Sequence, residues 1–146
     1  MKHPTLPLVA TLLLALLWVA PACATGPALH TDHEDQARAA VQELLNAYAG
    51  GSRAGFAHLV SQDFSPQRQD YLNRMDQAAR SEQAVQFEFF VEQVLIKDQT
   101  MTVTVRWNKK AQTAAGQTKT DGLTVFVFGA ENGLWKLTQT RGDNPF

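Results

Sequence analysis

From Thr31 onward the chain carries two hydrophobic rhythms in succession. Ala37, Ala40, Val41, Leu44, Leu45 and Tyr48 recur at three- and four-residue intervals. That spacing predicts one apolar face of a helix of about four turns. Thr31 followed by Glu34 fits a capping box, and Asp32 and Asp35 put negative charge where the helix dipole favours it. Gly50-Gly51 ends the pattern. Ser52 can cap a shorter second helix whose stripe is Phe56, Leu59, Val60 and Phe64. Ser65-Pro66 restarts a third helix, a capping side chain followed by Pro at the first helical position. It runs to about Arg80 with Tyr71, Leu72, Met75, Ala78 and Ala79 on one face.

After Gln83 the period falls from 3.6 to 2. Val85, Phe87, Phe89 and Val91 alternate with polar residues, and Val94 and Ile96 resume on the other parity. The change of phase predicts a bend or bulge near Glu92. Asp98-Gln99 turns the chain, and Met101, Val103, Val105 and Trp107 alternate cleanly with Thr100, Thr102, Thr104 and Arg106. The polar stretch Asn108 to Gln117 reads as a hairpin loop, with Lys109 and Lys110 as a solvated pair. Leu123 to Phe128 is apolar on both parities apart from Thr124, which predicts a strand covered on both faces. Asn132-Gly133 is a tight-turn pair. The last strand runs from Leu134 to about Arg141, with Trp135, Leu137, Gln139 and Arg141 on one parity. Three helices followed by at least four closely joined strands imply an α+β fold, the helices packed on one face of an antiparallel sheet.

Composition divides the chain further. Of 146 residues, 65 are apolar, and 17 of those fall in residues 1–24. Lys2 is the only Lys or Arg before Arg38, and Leu6 to Ala20 is an uncharged run too short to span a bilayer. The small residues Ala22-Cys23-Ala24 follow. This is the pattern of a signal peptide cleaved before Thr25. Cys23 sits where a lipoprotein carries its acylated Cys, so a lipid anchor is the alternative. The layout is then a signal peptide at 1–24, a short tail at 25–33, an α+β domain at 34–141 and a C-terminal tail at 142–146. The protein is expected outside the cytoplasm, periplasmic or secreted, or lipid-anchored in the envelope. Any membrane contact runs through the signal peptide or that anchor.

A net charge of -1 lacks the basic footprint of a nucleic-acid binder. One Cys cannot build a disulfide framework or a Cys-rich zinc site. No nucleophile elbow, zincin motif, dinucleotide fingerprint or P-loop appears, so no cofactor is expected. His30 and His33 beside Asp32, Glu34 and Asp35 could hold a divalent ion, but the acids already serve as helix-start charges.

The run Leu44 to Ser52, then Phe56 to Phe64, resembles the opening of NTF2-like (SnoaL-like) domains. Gly133-Leu134-Trp135-Lys136-Leu137 resembles their final strand. The resemblance spans residues 34–141 and implies a cone, a bent sheet wrapped around helices, often with a pocket at the open end. It also implies a short strand pair between helices two and three, for which Phe64-Ser65-Pro66 leaves no room. Family members include isomerases and dehydratases as well as binding domains, and the fold does not choose among them. The candidate pocket residues are Tyr48, His58, Trp107, Phe126, Trp135, Gln139 and Arg141. Arg141 would neutralise an acidic ligand and the aromatics would stack on an apolar one. His58, with Asp63 nearby in sequence, is a candidate base. The leading expectation is a non-enzymatic domain binding a small apolar or acidic molecule or an envelope protein. A cofactor-independent isomerase or dehydratase is the second, and the third is a structural module that docks a partner by an exposed strand edge or apolar patch, which a homodimer over the open sheet face would support.

Overall fold

A computed structural model describes residues 29–146. The signal peptide expected at 1–24, with Cys23, lies outside the described residues. Among those described, no helix is long and apolar enough to cross a membrane.

Three helices, α1 (Leu29–Ala49), α2 (Arg53–Leu59) and α3 (Arg68–Ser81), precede four strands. The strands β1 (Gln83–Lys97), β2 (Thr100–Thr113), β3 (Gly116–Glu131) and β4 (Leu134–Gly142) form one antiparallel sheet in sequence order. The helices pack on one face of it. The predicted stripe of α1 is the heart of the core: Ala37, Val41, Leu44, Leu45 and Tyr48 are all buried. α1 begins at Leu29 rather than at a Thr31 cap, so Thr31 and the end of the presumed tail are already helical. Ser52 caps α2 as expected, its hydroxyl accepting from the Gly55 amide at 3.1 Å.

α3 starts two residues later than Ser65-Pro66 predicts. Gln67, with φ of 94°, occupies the cap and Arg68 opens the helix. Arg68 takes the capping task at the other end of α2, donating to the Ala57 carbonyl at 2.8 Å. Between α2 and α3 there is a single bridge, Val60 to Leu137, in place of a strand pair. It is joined by the Ser61 and Ser65 amides, which donate to the Leu137 and Thr138 carbonyls at 2.9 Å each.

The register of β1 on β2 slips between Val91 and Gln93, at the bend expected near Glu92. Arg106 holds the bulge by pairing with the Glu92 carboxylate at 2.6 Å. Asn132 and Gly133, with φ of 53° and 79°, make the tight turn into β4.

Asn108 to Gln117 corrects the loop reading. Pairing continues from Asn108↔Asp121 to Thr113↔Gly116, and only Ala114-Ala115 turns. Alternation continues too, because Lys109 and Ala111 stay buried behind Trp107. A buried Lys disguised the strand as a polar loop.

Candidate functional site

Among the described residues, the concave face of the sheet closes on the helices without leaving a chamber. Phe126, Phe128, Val103, Val105 and Leu137 are at most 1% exposed. Phe146, placed by sequence in a tail, folds into this space. Its ring centroid lies 5.0 Å from that of Tyr48 and 5.1 Å from that of Phe56. It also reaches Phe87 and Phe126, each at 6.3 Å.

A polar cluster is built into the side of this core. Glu82, in the joint between α3 and β1, accepts from the Tyr48 hydroxyl at 2.8 Å. It also accepts from Lys109 at 2.8 and 3.1 Å. The Lys109 ammonium lies 5.7 Å from the centre of the Tyr48 ring. Burial, and then the Glu82 carboxylate beside it, pushes the Tyr48 hydroxyl well above the ordinary tyrosine range. Tyr48 is therefore a fixed hydrogen-bond donor over all physiological pH. The free space beside it is about 20 Å³, room for one water. Tyr71 titrates high as well, through burial, and its hydroxyl lies near Thr140 without completing a hydrogen bond.

The expected pocket residues do not converge. Tyr48 and Phe126 meet only through Phe146. Trp107 is buried apart from them, its indole donating to the Thr124 hydroxyl at 2.8 Å. His58 is exposed, and so is Asp63, and among the described residues no hydrogen bond orients the imidazole. His58 and Trp135 share a surface groove of about 250 Å³ that also takes in Leu59 and Glu43. Trp135 is tied to α1 by a 3.3 Å hydrogen bond to Gln36. Of the acid-histidine cluster, Asp32, His33, Glu34 and Asp35 are exposed on the first turns of α1. Among the described residues no group of three metal-ligating side chains forms.

Gln139 and Arg141 require a correction. The register of β4 on β3 slips between Val127 and Phe128, so that Phe128 faces Leu137 while Val127 faces Gln139. The extra residue, Thr138, flips the phase. Trp135 and Leu137 face the helices, whereas Gln139 and Arg141 stand on the opposite face with Val127 and Val125. There Arg141 donates to the Gln139 side chain at 2.7 Å. An anchor for an acidic ligand inside the cone is thereby removed.

That opposite face holds what the sequence reading missed. Phe90 is 63% exposed, Leu95 60% and Leu123 38%. The register puts Phe90 and Leu123 on either side of Arg106, and Leu95 and Val127 on either side of Thr102. β3 was expected to be covered on both faces, but Val125 and Val127 remain partly open. The signal was present in the run Leu123 to Phe128, whose double parity asks for two covers.

No protein-family model matches the sequence, and no curated protein is similar to it in sequence. Solved structures match the fold. An NTF2-like family protein from Streptomyces avermitilis, proposed to be a dehydratase, is 14% identical with a TM-score of 0.67, over 80% of this chain and 99% of that one. A domain from Xanthomonas campestris proposed as a calcium/calmodulin dependent protein kinase II association domain is 17% identical with a TM-score of 0.62, over 82% and 94%. A cystatin-like domain of unknown function from Nostoc punctiforme is 18% identical with a TM-score of 0.58, over 80% and 79%. The fold is the NTF2-like, cystatin-like α+β cone.

Proposed function

We propose that the chain is an exported, non-enzymatic binding domain that pairs with a second copy of itself through the open face of its sheet. The observation that carries this reading is the contrast between a concave face packed with side chains and a convex face showing Phe90, Leu95 and Leu123. Large apolar side chains set in rows on an open sheet favour a covering surface. Arg106, between Phe90 and Leu123, is already neutralised by Glu92 within the chain, so this pair presents no bare charge to a second copy. An association role proposed for the Xanthomonas domain is compatible with the same fold. The apolar run and small residues of 1–24 support export, with release at Thr25 or a tether at Cys23 as the two outcomes.

Catalysis of the dehydratase kind needs a positioned acid or base beside a substrate-sized opening. His58 opens on the groove of about 250 Å³ but is exposed and has no hydrogen-bond partner among the described residues, Asp63 is exposed, and Tyr48 gives its proton to Glu82 beside a space for one water. These positions support binding over chemistry.

The test is native mass spectrometry of the protein purified from its own envelope. The expected spectrum contains a dimer of chains that begin at Thr25 or carry an acyl mass on Cys23. A monomer, or a chain retaining residues 1–22, would contradict the reading. A mixed complex with another envelope protein would replace the second copy by that partner.

A further inference from the structure

The strand register places a charge at each end of the central row of the outer face. That row runs Gln93, Thr104, Val125 and Arg141 across the four strands. Glu92 is the extra residue of the bulge beside Gln93, and it turns to the same face, where Arg106 meets it. The Nε and Nη2 atoms of Arg106 reach one carboxylate oxygen, Oε1, at 2.7 and 2.6 Å. Among the described residues the second oxygen, Oε2, has no partner. Arg141, at the far end of the row, is exposed. Its Nε and Nη2 donate to the neutral side chain of Gln139 at 3.2 and 2.7 Å. Among the described residues it meets no carboxylate, and its Nη1 has no acceptor. The three strand spacings between β1 and β4 hold Glu92 and Arg141 about 14 Å apart, too far for one chain to join them. Each chain therefore shows, on one row, an unused carboxylate oxygen at one edge and an uncompensated guanidinium at the other.

Two copies packed face to face about a two-fold axis have two simple arrangements. An axis across the strands, along the central row, sets each strand over itself in the second copy. Arg141 then stands on Arg141 and Glu92 on Glu92, and like charges oppose the arrangement. An axis along the strands, between β2 and β3, exchanges the two ends of every row. Arg141 of each copy then stands over Glu92 of the other, and the contact occurs twice. The same exchange lays Val125 and Val127 over Thr104 and Thr102, whose methyl groups extend the apolar contact, and Leu95 over the Gln139 stem. Packed sheets lie about 10 Å apart, a gap that Arg and Glu side chains reaching from opposite sides close.

We propose that the second copy is recognised through a reciprocal ion pair, Arg141 of each chain on the free Glu92 oxygen of the other, with the two-fold axis running along the strands between β2 and β3. The proposal rests on pairing through the open sheet face and adds which residues select and orient the partner. Arg106 holds the Glu92 carboxylate from within the chain, and Arg141 meets its other oxygen from the second copy. The apolar side chains supply the attraction, and the charges fix the orientation.

The test is a charge exchange between two variants, Arg141→Glu and Glu92→Lys. Each alone, and the two mixed, are followed by native mass spectrometry and sedimentation equilibrium, with circular dichroism to show that both are folded. Alone, each variant sets like charges together at both contacts and is expected to pair about a hundred-fold more weakly than the natural chain. Mixed, the two set opposite charges together at both contacts, and the expected species is a pair holding one chain of each mass. Should Glu92→Lys, which also gives up the Arg106 contact, fail to fold, Arg141→Gln reads the same contact. It is expected to pair about ten-fold more weakly, with less sensitivity to added salt. If the natural chain pairs while a folded variant pairs as tightly, or while the mixture forms no mixed pair, the ion pair is overturned and the pairing surface stands. If the natural chain forms no pair, the pairing surface falls and this proposal with it.

Discussion

The two faces of β2 alternate strictly, and they meet different fates. Met101, Val103, Val105, Trp107, Lys109 and Ala111 point at the helices and are buried. Thr102, Thr104 and Arg106 point away, a polar strip that needs no cover. The neighbouring strands break that symmetry. β1 adds Phe90 and Leu95, and β3 adds Leu123, Val125 and Val127, to the same outward face. The inner surface is complete within one chain, down to the last ring from Phe146. The outer surface flanks that polar strip with apolar side chains that stay wholly or partly exposed. The difference teaches that the core is completed by one face, which leaves the apolar residues of the other as the basis of the proposed pairing.

Substitutions on the two faces should therefore separate stability from association. The largest loss of stability is expected on the inner face. Phe126→Ala removes a fully buried ring and should cost about 3–5 kcal/mol in denaturant unfolding. Lys109→Met leaves the Glu82 carboxylate buried without its cation and should cost about 3 kcal/mol. Combining it with Glu82→Leu should return much of that loss, because both charges are then gone; the Tyr48 hydroxyl remains the unsatisfied residue of the exchange.

Next in size is an alkaline effect. The Tyr48 hydroxyl titrates higher in the folded chain than in the unfolded one. The unfolded chain therefore gives up that proton first. Stability should be constant below about pH 10 and fall as the pH rises above it. Tyr71 adds to the same fall through its own burial. Tyr48→Phe should flatten the decline, read from urea midpoints at pH 9 to 11. The smallest effect on stability belongs to the outer face. Leu95→Asp should change the unfolding free energy by less than about 0.5 kcal/mol, yet abolish pairing. If Leu95→Asp unfolds the chain, or Phe126→Ala leaves it intact, the distinction between the faces is wrong.

Most of the fold was legible because its helices and strands have clean periods. The α1 stripe, the Ser52 cap, the Glu92 bulge and the Asn132-Gly133 turn all follow from local residue chemistry. The site was less legible for three physical reasons. Lys109 is polar in type but buried in place, since a partner 27 residues earlier neutralises it, and so β2 and β3 read too short. The Thr138 bulge is silent in sequence, because Thr suits either face of a strand, and it carried Gln139 and Arg141 to the wrong side. Phe146 lies outside any periodic segment, so nothing local told that it fills the cone. The outer apolar face, by contrast, was written in the double parity of Leu123 to Phe128. That pattern asks for a second cover, which the described residues do not supply.

The central claim, that the open sheet face is a pairing surface, is tested most directly by sedimentation equilibrium of the processed chain beside its Leu95→Asp variant. The account predicts twice the single-chain mass for the first and the single-chain mass for the second, with both folded. A native chain that remains a single copy at micromolar and higher concentrations, or a variant that stays paired, would contradict it.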